Sequence, residues 1–236
     1  MTIAVLTALL GSTPDYLPAS PPADTDVIYG CVTDRATALP DGWTRLTVPP
    51  AIRRSVPSSR LQARWVRAFP ETWYPDATIT IWMDASFDWL MRPSEVVDVA
   101  AAIRLAGPDG CDLVAFRHHD RATIRAEAAA VVDAGQLSHA QVAEIVRRYH
   151  AAGFDTAAIP QRDLTAGGFL IRWRSSRTAD FSARWWAELT RFGERADQLS
   201  LDFCAWQAGL TIGYLSHRYC DNPFVFQDRR RHRGIA

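Results

Sequence analysis

Short apolar runs alternate along the chain with helical patterns, and this order predicts an α/β fold. Six runs rich in β-branched and aromatic residues have the length of buried strands, and they cover residues 3–10, 26–33, 43–48, 79–83, 111–116 and 169–173. Apolar positions at helical spacing predict helices from Ser58 and over 93–105, 124–134, 138–152, 180–192 and 201–208. Strands alternating with helices predict a Rossmann-like, mostly parallel twisted sheet flanked by helices.

Length and charge add limits to this picture. The 236 residues favour a single domain, predicted over residues 1–228, with a basic tail over 229–236. The chain carries 26 basic and 26 acidic residues, so no global field attracts it to nucleic acid or anionic lipid. All basic residues are arginine, which binds phosphate or carboxylate through two parallel hydrogen bonds.

The sequence also favours a cytoplasmic location. The four cysteines form no CxxC pair and are expected to be buried, reduced thiols. No stretch reaches the roughly 18 to 20 apolar residues of a membrane helix. The apolar N-terminus lacks a basic segment before it, so it is expected to be a strand and not a signal peptide.

The strand at 79–83 ends at Asp84, with Ser86 two residues further on. Ligands of open α/β sheets bind outside the carboxyl ends of the strands, and extended chain places positions 84 and 86 on one side. A carboxylate and a hydroxyl there suit Mg²⁺ or Mn²⁺ bridging phosphate oxygens. An alternative of equal weight is that Asp84 caps the turn that follows.

Other strand ends also carry polar residues. Asp34 follows the second strand, where it is expected either to bind the base or ribose of a nucleotide or to cap a turn. His118, His119 and Arg121 follow the strand at 111–116. Adjacent residues of an extended chain point to opposite sides, so at most one of the two histidines is expected to face the cleft.

Three further features are candidates for a phosphate-sugar site. Arg60, Arg64 and Arg67 recur at helical spacing on one face, which would neutralise a diphosphate or simply be solvated. Gly167 and Gly168 precede a strand and either admit a substrate close to the backbone or form a turn. No GxGxxG motif is present, so a dinucleotide-binding enzyme is not expected.

Asp197 precedes the predicted helix at 201–208. It is expected either to cap that helix or to act on an electrophilic sugar carbon. In the second case it would be a general base or the carboxylate that stabilises an oxocarbenium ion.

These motifs occur in an order that resembles a known family. They are RxxxRW at 60–65, WYPD at 73–76, IWMDAS at 81–86, FRHHDR at 116–121, AGGFLIR at 166–172, WWAEL at 185–189 and RADQLS at 195–200. Together they resemble the glycosyltransferase-like domain of the plant mucilage and pectin (rhamnogalacturonan) galacturonosyltransferase family, which also has many bacterial members. The resemblance covers about two thirds of the chain in collinear order.

The resemblance implies a GT-A fold, with a nucleotide-sugar bound at the strand ends and a divalent metal, Mn²⁺ or Mg²⁺, on its diphosphate. Asp84 and Ser86 match the D-x-D element, in which serine replaces the second carboxylate, and His217 is preferred over His232 as the C-terminal metal ligand. The remaining matches are Arg60 and Arg64 in the basic helix, His119 and Arg121 in the cluster after the next strand, Gly167 and Gly168 in the donor or acceptor loop, and Asp197 with Gln198 beside the reacting sugar.

The sequence therefore predicts a metal-assisted glycosyltransferase that moves a sugar from a nucleotide-diphosphate sugar, with a UDP-sugar preferred, to a hydroxyl of a glycan or small molecule. Asp197, Gln198 and His119 are the catalytic candidates, while Asp34, Arg60, Arg64, Arg67, Arg121, Gly167 and Gly168 are the donor-binding candidates. Two alternatives remain: a phage-type transferase acting on hydroxymethylated DNA, and a non-catalytic nucleotide-sugar or protein-binding module.

Overall fold

The structure of the protein is a computed structural model that describes residues 1–11, 17–106, 110–154, 164–218 and 220–228. Its strands are β1 (Ile3–Leu9), β2 (Val27–Thr33), β3 (Thr44–Leu46), β4 (Ile79–Met83), β5 (Phe87–Trp89), β6 (Leu113–Arg117), β7 (Thr165–Trp173), β8 (Ile212–Arg218) and β9 (Val225–Gln227). Its helices are α1 (Pro50–Ser55), α2 (Ser59–Ala68), α3 (Pro93–Ala106), α4 (Ile124–Asp133), α5 (His139–Ala151), α6 (Ser176–Phe192) and α7 (Asp197–Gln207). The basic tail at 229–236, with His232, lies outside the described residues.

Seven of these strands form one twisted sheet in the order β3-β2-β1-β4-β7-β6-β8. Every neighbouring pair is parallel except the two that contain β7, which runs against both β4 and β6. The other six strands therefore share one direction, and their carboxyl ends meet at one edge of the sheet. The start of β7 lies at that same edge because β7 is reversed.

Apolar side chains cover both faces of the sheet, as expected for a sheet buried between helices. Leu6, Trp82 and Leu170 belong to one core cluster, packed with residues of α2, α4, α5, α6 and α7. The neighbouring positions along the same strands, such as Val5 and Ile81, belong to a second cluster that includes residues of α3, β5 and β9. The predicted mostly parallel α/β sheet flanked by helices is confirmed.

Three elements begin earlier than the sequence predicts. Strand β7 begins at Thr165, not at 169, because Asp202 accepts a hydrogen bond from the Thr165 N–H at 3.2 Å and another from its hydroxyl. Helix α6 begins at Ser176, not at 180, because the Ser175 hydroxyl accepts a hydrogen bond from the N–H of Thr178 in a capping box. Helix α7 begins at Asp197, four residues before the predicted start.

Four elements have no counterpart in the predictions: the seven-residue strand β8 and the shorter α1, β5 and β9. Strands β5 and β9 have three residues each and pair only with one another, Phe87 opposite Gln227. A three-residue strand is too short to show a hydrophobic period, so only the tertiary contact identifies it. In the described part of the chain, none of the helices combines the length and apolar character needed to cross a bilayer.

Candidate functional site

A cleft of about 350 Å³ opens at the carboxyl ends of the parallel strands. It is lined by Arg64, Arg67, Asp84, His118, His119, Asp120, Arg121, Glu127, Ala166, Gly167, Gly168, Asp197, Gln198 and Gln227. These residues come from α2, the ends of β4 and β6, the start of β7, α4, α7 and β9. Three arginines and four carboxylates thus meet in one concave site.

Asp84 lies in the cleft directly after β4, as its sequence position predicts. The Trp82 indole N–H donates to its Oδ1 at 2.9 Å, and its own backbone N–H donates to the carbonyl of Gly168 at 2.9 Å. These contacts fix the carboxylate beside the start of β7. Asp84 also begins a turn, because the N–H of Phe87 donates to its carbonyl at 3.0 Å.

That turn changes the position of Ser86. The expectation of an extended D-x-S segment is wrong, since the chain reverses between Asp84 and Phe87. Ser86 is 1% exposed, does not line the cleft, and its hydroxyl has no hydrogen-bond partner among the described residues. Its side chain therefore does not stand beside the carboxylate of Asp84 in the cleft.

Asp197 forms the centre of the charged part of the cleft. Arg67 Nη2 lies 2.6 Å from Asp197 Oδ2, and Arg64 Nε lies 2.9 Å from the same oxygen. The other nitrogen of the Arg67 fork, Nη1, donates to the carbonyl of Gly167 at 2.9 Å. Arg67 is 2% exposed, so its guanidinium works inside the protein, where it joins α2, α7 and β7.

The charges around Asp197 keep it ionised. Burial is the largest single influence and would raise its pKa, but the charges of Arg64 and Arg67 together with the hydrogen bonds from Arg67 and the N–H of Gln198 outweigh it. The pKa of Asp197 is therefore lowered. Burial has the opposite consequence for Arg67, whose pKa is lowered, while Asp197 and Asp84 both favour its charged form.

The two predicted glycines lie inside β7 at a bulge. Ala115 of β6 pairs with Leu170, but the next residue, Phe116, pairs with Ala166, so the residues between them are displaced from the ladder. Gln198 binds this segment, because its Oε1 accepts from the Gly167 N–H at 3.3 Å and its amide donates to the carbonyl of Thr165. A Cβ on Gly167 would lie 3.1 Å from Arg67 Nη1, so glycine leaves room for that arginine.

Both histidines of the FRHHDR segment line the cleft, so the expectation that at most one does is wrong. The chain turns after β6, and the two imidazole rings stack with centroids 4.8 Å apart. His118 Nδ1 accepts hydrogen bonds from the N–H groups of Asp120 and Arg121, at 3.2 Å each. Burial, then the charges of Arg121 and His119, lower the pKa of His118 to about 4, so it is neutral at pH 7.

His119 and Arg121 each have a carboxylate partner. His119 Nε2 lies 2.8 Å from Asp120 Oδ2, and Arg121 forms an ion pair with Glu127 of α4. Burial raises the pKa of Glu127, while the charge and hydrogen bond of Arg121 act against that rise. On this side of the cleft, Asp120 thus orients the imidazole of His119, and Glu127 anchors the guanidinium of Arg121.

Besides Ser86, three predicted site residues lie away from the cleft. Arg60 is exposed on α2, one turn before Arg64. Asp34 is exposed after β2 and accepts the Gly11 N–H at 3.2 and 3.1 Å, so its carboxylate binds the chain where β1 ends. His217 is exposed near the end of β8, where its ring contacts Phe224 with centroids 5.7 Å apart.

The cleft also contains residues that sequence reasoning did not select. Glu127 lies on α4, for which the sequence suggests no function, and it meets Arg121 across the loop that precedes this helix. Gln227 reaches the cleft from β9, and no local pattern marks it. Only the pairing of β9 with β5 brings it there.

The described residues do not assemble the predicted metal site. Of Asp84, Ser86 and His217, only Asp84 lines the cleft, and Ser86 is enclosed. No group of three or more His, Cys, Asp or Glu side chains in the described ranges is arranged to hold a metal ion. The metal shell expected from the resemblance therefore does not fit the part of the chain described.

Comparison with known proteins places the chain in a family. A sequence profile for the TOD1/MUCI70 glycosyltransferase-like domain matches residues 64–222, which is more than half of the chain. The chain belongs to the TOD1/MUCI70 family. This match contains Asp84, the FRHHDR segment and Asp197, so all the charged cleft residues lie within or at the border of the TOD1/MUCI70 domain. No curated protein matches the chain.

Solved structures share the fold of this TOD1/MUCI70 member. Mouse xyloside xylosyltransferase 1 in its apo form has a TM-score of 0.54 at 8% identity, covering 91% of this chain and 85% of that one. The bifunctional glycosyltransferase WbbM in its apo form has a TM-score of 0.53 at 8% identity, covering 91% of this chain and 38% of that one. The prediction that the chain is a glycosyltransferase of this family is confirmed.

Proposed function

We propose that the cleft transfers a sugar from a nucleotide-diphosphate sugar, preferably a UDP-sugar, to a hydroxyl group of a glycan or small molecule. The observation that carries this proposal is the meeting of Asp84, Asp197, Arg64 and Arg67 at the carboxyl ends of the parallel strands. This edge is where open α/β sheets bind their ligands. Breaking a sugar-phosphate bond needs cations at the departing diphosphate and carboxylates at the sugar carbon.

The arginines of the cleft differ in how deeply they are buried, and we assign them different roles accordingly. Arg67 is enclosed and its guanidinium is committed to Asp197 and Gly167, so it positions the site. Arg64 is 24% exposed, and Arg121 is 31% exposed. Both line the cleft, where a diphosphate can contact them, and each is oriented by a carboxylate. We assign the growing charge on the leaving nucleoside diphosphate to Arg64 and Arg121.

Asp197 acts in this proposal as an ionised carboxylate. A general base works best with a pKa near the working pH, and the pKa of Asp197 is lowered by its arginine neighbours. A lowered pKa suits a group that stabilises positive charge on the anomeric carbon or orients the acceptor. Gln198, which binds the bulge of β7, holds the backbone beside it.

The acceptor proton needs a separate group, and His119 is the candidate. His119 Nδ1 is enclosed, so the nitrogen assigned to the acceptor proton is Nε2. Asp120 Oδ2 lies 2.8 Å from Nε2 and would stabilise the imidazolium that forms. In the reaction, the acceptor oxygen forms a bond to the anomeric carbon while the carbon-phosphate oxygen bond breaks. The diphosphate takes the electron pair, and His119 takes the hydroxyl proton.

A donor screen scored by hydrolysis of the nucleotide-sugar tests the proposal, because slow hydrolysis needs no acceptor. We expect one class of donor, with UDP-sugars first, to be hydrolysed by the wild type. Asp84→Asn should abolish this turnover with the fold intact by circular dichroism, while Asp88→Asn, outside the cleft on β5, should retain it. Full turnover by Asp84→Asn would contradict the site.

The same screen separates the metal and acceptor alternatives. The screen is run with Mn²⁺, with Mg²⁺ and with EDTA. The comparison shows whether arginines alone stabilise the negative charge of the leaving diphosphate or whether a metal ion is also needed. Transfer to glycans or small hydroxyl compounds supports the proposal. Transfer only to hydroxymethylated DNA, lost steeply with salt, would favour the phage-type alternative. Binding of a donor without turnover would indicate the non-catalytic module.

A further inference from the structure

A second pocket, of about 540 Å³, lies at the opposite end of β7 from the cleft. Residues Arg172 and Trp173, which end β7, line it opposite Thr80 and Ile79 at the start of β4. Arg172 lies four positions after Gly168 of the cleft, which is about 13 Å of extended strand. The second pocket is therefore distinct from the glycosyltransferase cleft, and nothing in the proposed reaction uses it.

Arg172 is an unusual residue to find in such a place. It is 4% exposed, and one nitrogen, Nη1, donates to the carbonyl of Ala68 at 3.2 Å. Its Nε and Nη2 have no hydrogen-bond partner in the described part of the chain. Its Cζ lies 5.6 Å from the ring centroid of Phe181 and 5.9 Å from that of Trp185, which contribute no counter-charge beyond their π faces.

The cation at this position keeps its charge but lacks a close partner. Burial lowers the pKa of Arg172 to about 10; the charge of Glu71 acts in the opposite direction and that of Arg67 in the same direction. The side chain is thus protonated at neutral pH. Glu71 lines the pocket, yet it is exposed and leaves the two nitrogens unbonded. An enclosed, half-bonded guanidinium is costly unless an anion joins it.

The N-terminus of α6 opens into the same pocket. This helix has 17 residues, and its N-cap Ser175 and the first-turn residues Ser176, Thr178 and Ala179 line the pocket. The N–H groups of Thr178 and Ala179 already donate to Ser175, so a ligand would take the two preceding N–H groups of this helix start, which carries partial positive charge. Arg174 adds a second guanidinium at the rim, so the pocket holds two arginines against one carboxylate in a chain without net charge.

We propose that this pocket binds a small organic anion, with a phosphate or carboxylate head directed to Arg172 and the first turn of α6. A planar guanidinium matches either head by paired hydrogen bonds. The volume exceeds that of a bare phosphate and is in the range that holds small ligands. Pro70, Ala77 and Trp173 provide apolar walls for a body of several carbon atoms beside the head.

A matched pair of variants at Ala179 tests the proposal without touching the core. Ala179 is exposed on the first turn of α6, so both Ala179→Glu and Ala179→Gln are tolerated by the fold. The two side chains have the same size, but only glutamate repels an anion. Isothermal titration with phenyl phosphate, inorganic phosphate, benzoate and uncharged benzyl alcohol then measures the effect of charge alone.

We expect phenyl phosphate or benzoate to bind the wild type and Ala179→Gln similarly, more tightly than inorganic phosphate, with no binding of benzyl alcohol. Ala179→Glu and Arg172→Gln should each weaken binding by at least about tenfold, as loss of a charge-assisted contact does. Arg64→Gln, in the cleft, should leave this affinity unchanged.

Three results would overturn the proposal. The first is equal binding by Ala179→Glu and Ala179→Gln. The second is that Arg64→Gln loses binding while Ala179→Glu keeps it. The third is that neither organic anion binds the wild type at concentrations up to about 10 mM. None of these measurements depends on transferase activity, so failure here and failure of the proposed reaction are distinguishable.

Discussion

At the scale of single residues, the cleft depends on how each charge is shared. Arg64 and Arg67 both form ion pairs with Oδ2 of Asp197, and its Oδ1 accepts a hydrogen bond from the Gln198 N–H at 2.8 Å. Arg67 in turn gives one nitrogen to Asp197 and one to Gly167. Loss of one member therefore leaves a buried charge without its partner, which is a large penalty in a protein interior.

Asp197→Asn should lower turnover by about 100-fold or more, because a neutral amide cannot stabilise positive charge on the sugar carbon. Donor binding should fall less, since Arg64 and Arg121 remain. The measurement is kcat and KM for donor hydrolysis or transfer, with Asp133→Asn, exposed at the end of α4, as the control. An unchanged kcat would remove Asp197 from the chemistry.

Arg67→Lys and Arg60→Lys form a matched pair on α2. Lysine cannot bind Asp197 and Gly167 at once, so Arg67→Lys should lose about 1–3 kcal/mol of stability and much of its turnover. Arg60 is exposed outside the cleft, so the same change there should alter both quantities little. Urea unfolding measures the stability of the two variants, and donor hydrolysis measures their turnover. Equal effects of the two changes would show that Arg60 contributes as much as Arg67.

At the scale of elements, the sheet positions the cleft because β7 runs against its neighbours. Its first residues stand beside the ends of β4 and β6, and at its bulge Gly167 binds side chains of α2 and α7. Helices α4, α6 and α7 pack on the same face of the sheet. The elements farther from the cleft, such as α5, contribute stability and no side chain to the site.

Ser138→Ala tests whether α5 contributes to stability alone and not to the cleft. The Ser138 hydroxyl accepts the Gln141 N–H at 3.2 Å, and Gln141 Oε1 accepts the Ser138 N–H at 2.9 Å, which is a capping box at the start of α5. Its loss should cost about 1 kcal/mol of unfolding free energy with turnover unchanged at 25 °C. Ser55→Ala, at the exposed end of α1, is the control, and a loss of turnover with Ser138→Ala would tie α5 to the site.

At the scale of the whole molecule, the cleft links stability to pH. His118 is neutral in the fold with its pKa lowered to about 4, and Nδ1 accepts two backbone N–H groups. In the unfolded chain its pKa is about 6.5. Between these values the unfolded state binds more protons, so the contribution of His118 to stability falls as the pH drops from about 6.5 to about 4.

His118→Asn should flatten this dependence, because the amide oxygen can still accept the backbone N–H groups but does not titrate. Thermal unfolding midpoints between pH 7 and pH 4 measure it. The wild type should lose more stability over this interval than the variant. His139→Asn, exposed at the start of α5, should follow the wild type; identical curves for wild type and His118→Asn would show that His118 does not titrate there.

The sequence by itself determined the α/β class, most of the helices and strands, and the motifs that carry the family resemblance. It did so because apolar periodicity and capping residues act over a few positions, as with Ser58, whose hydroxyl accepts the Leu61 N–H at 3.2 Å. It also selected Asp84, Arg64, Arg67, His119, Arg121 and Asp197, all of which line the cleft.

Tertiary structure alone decided which candidates meet. The Arg60 to Arg67 stripe is regular in sequence, yet one turn of helix separates a solvated arginine from an enclosed one. Ser86 leaves the cleft because a turn follows Asp84, and Gln227 enters it because β9 pairs with β5. Local pattern fixes the face of each element, whereas reversal of β7 and long-range pairing fix which faces come together, and no short window of sequence contains that information.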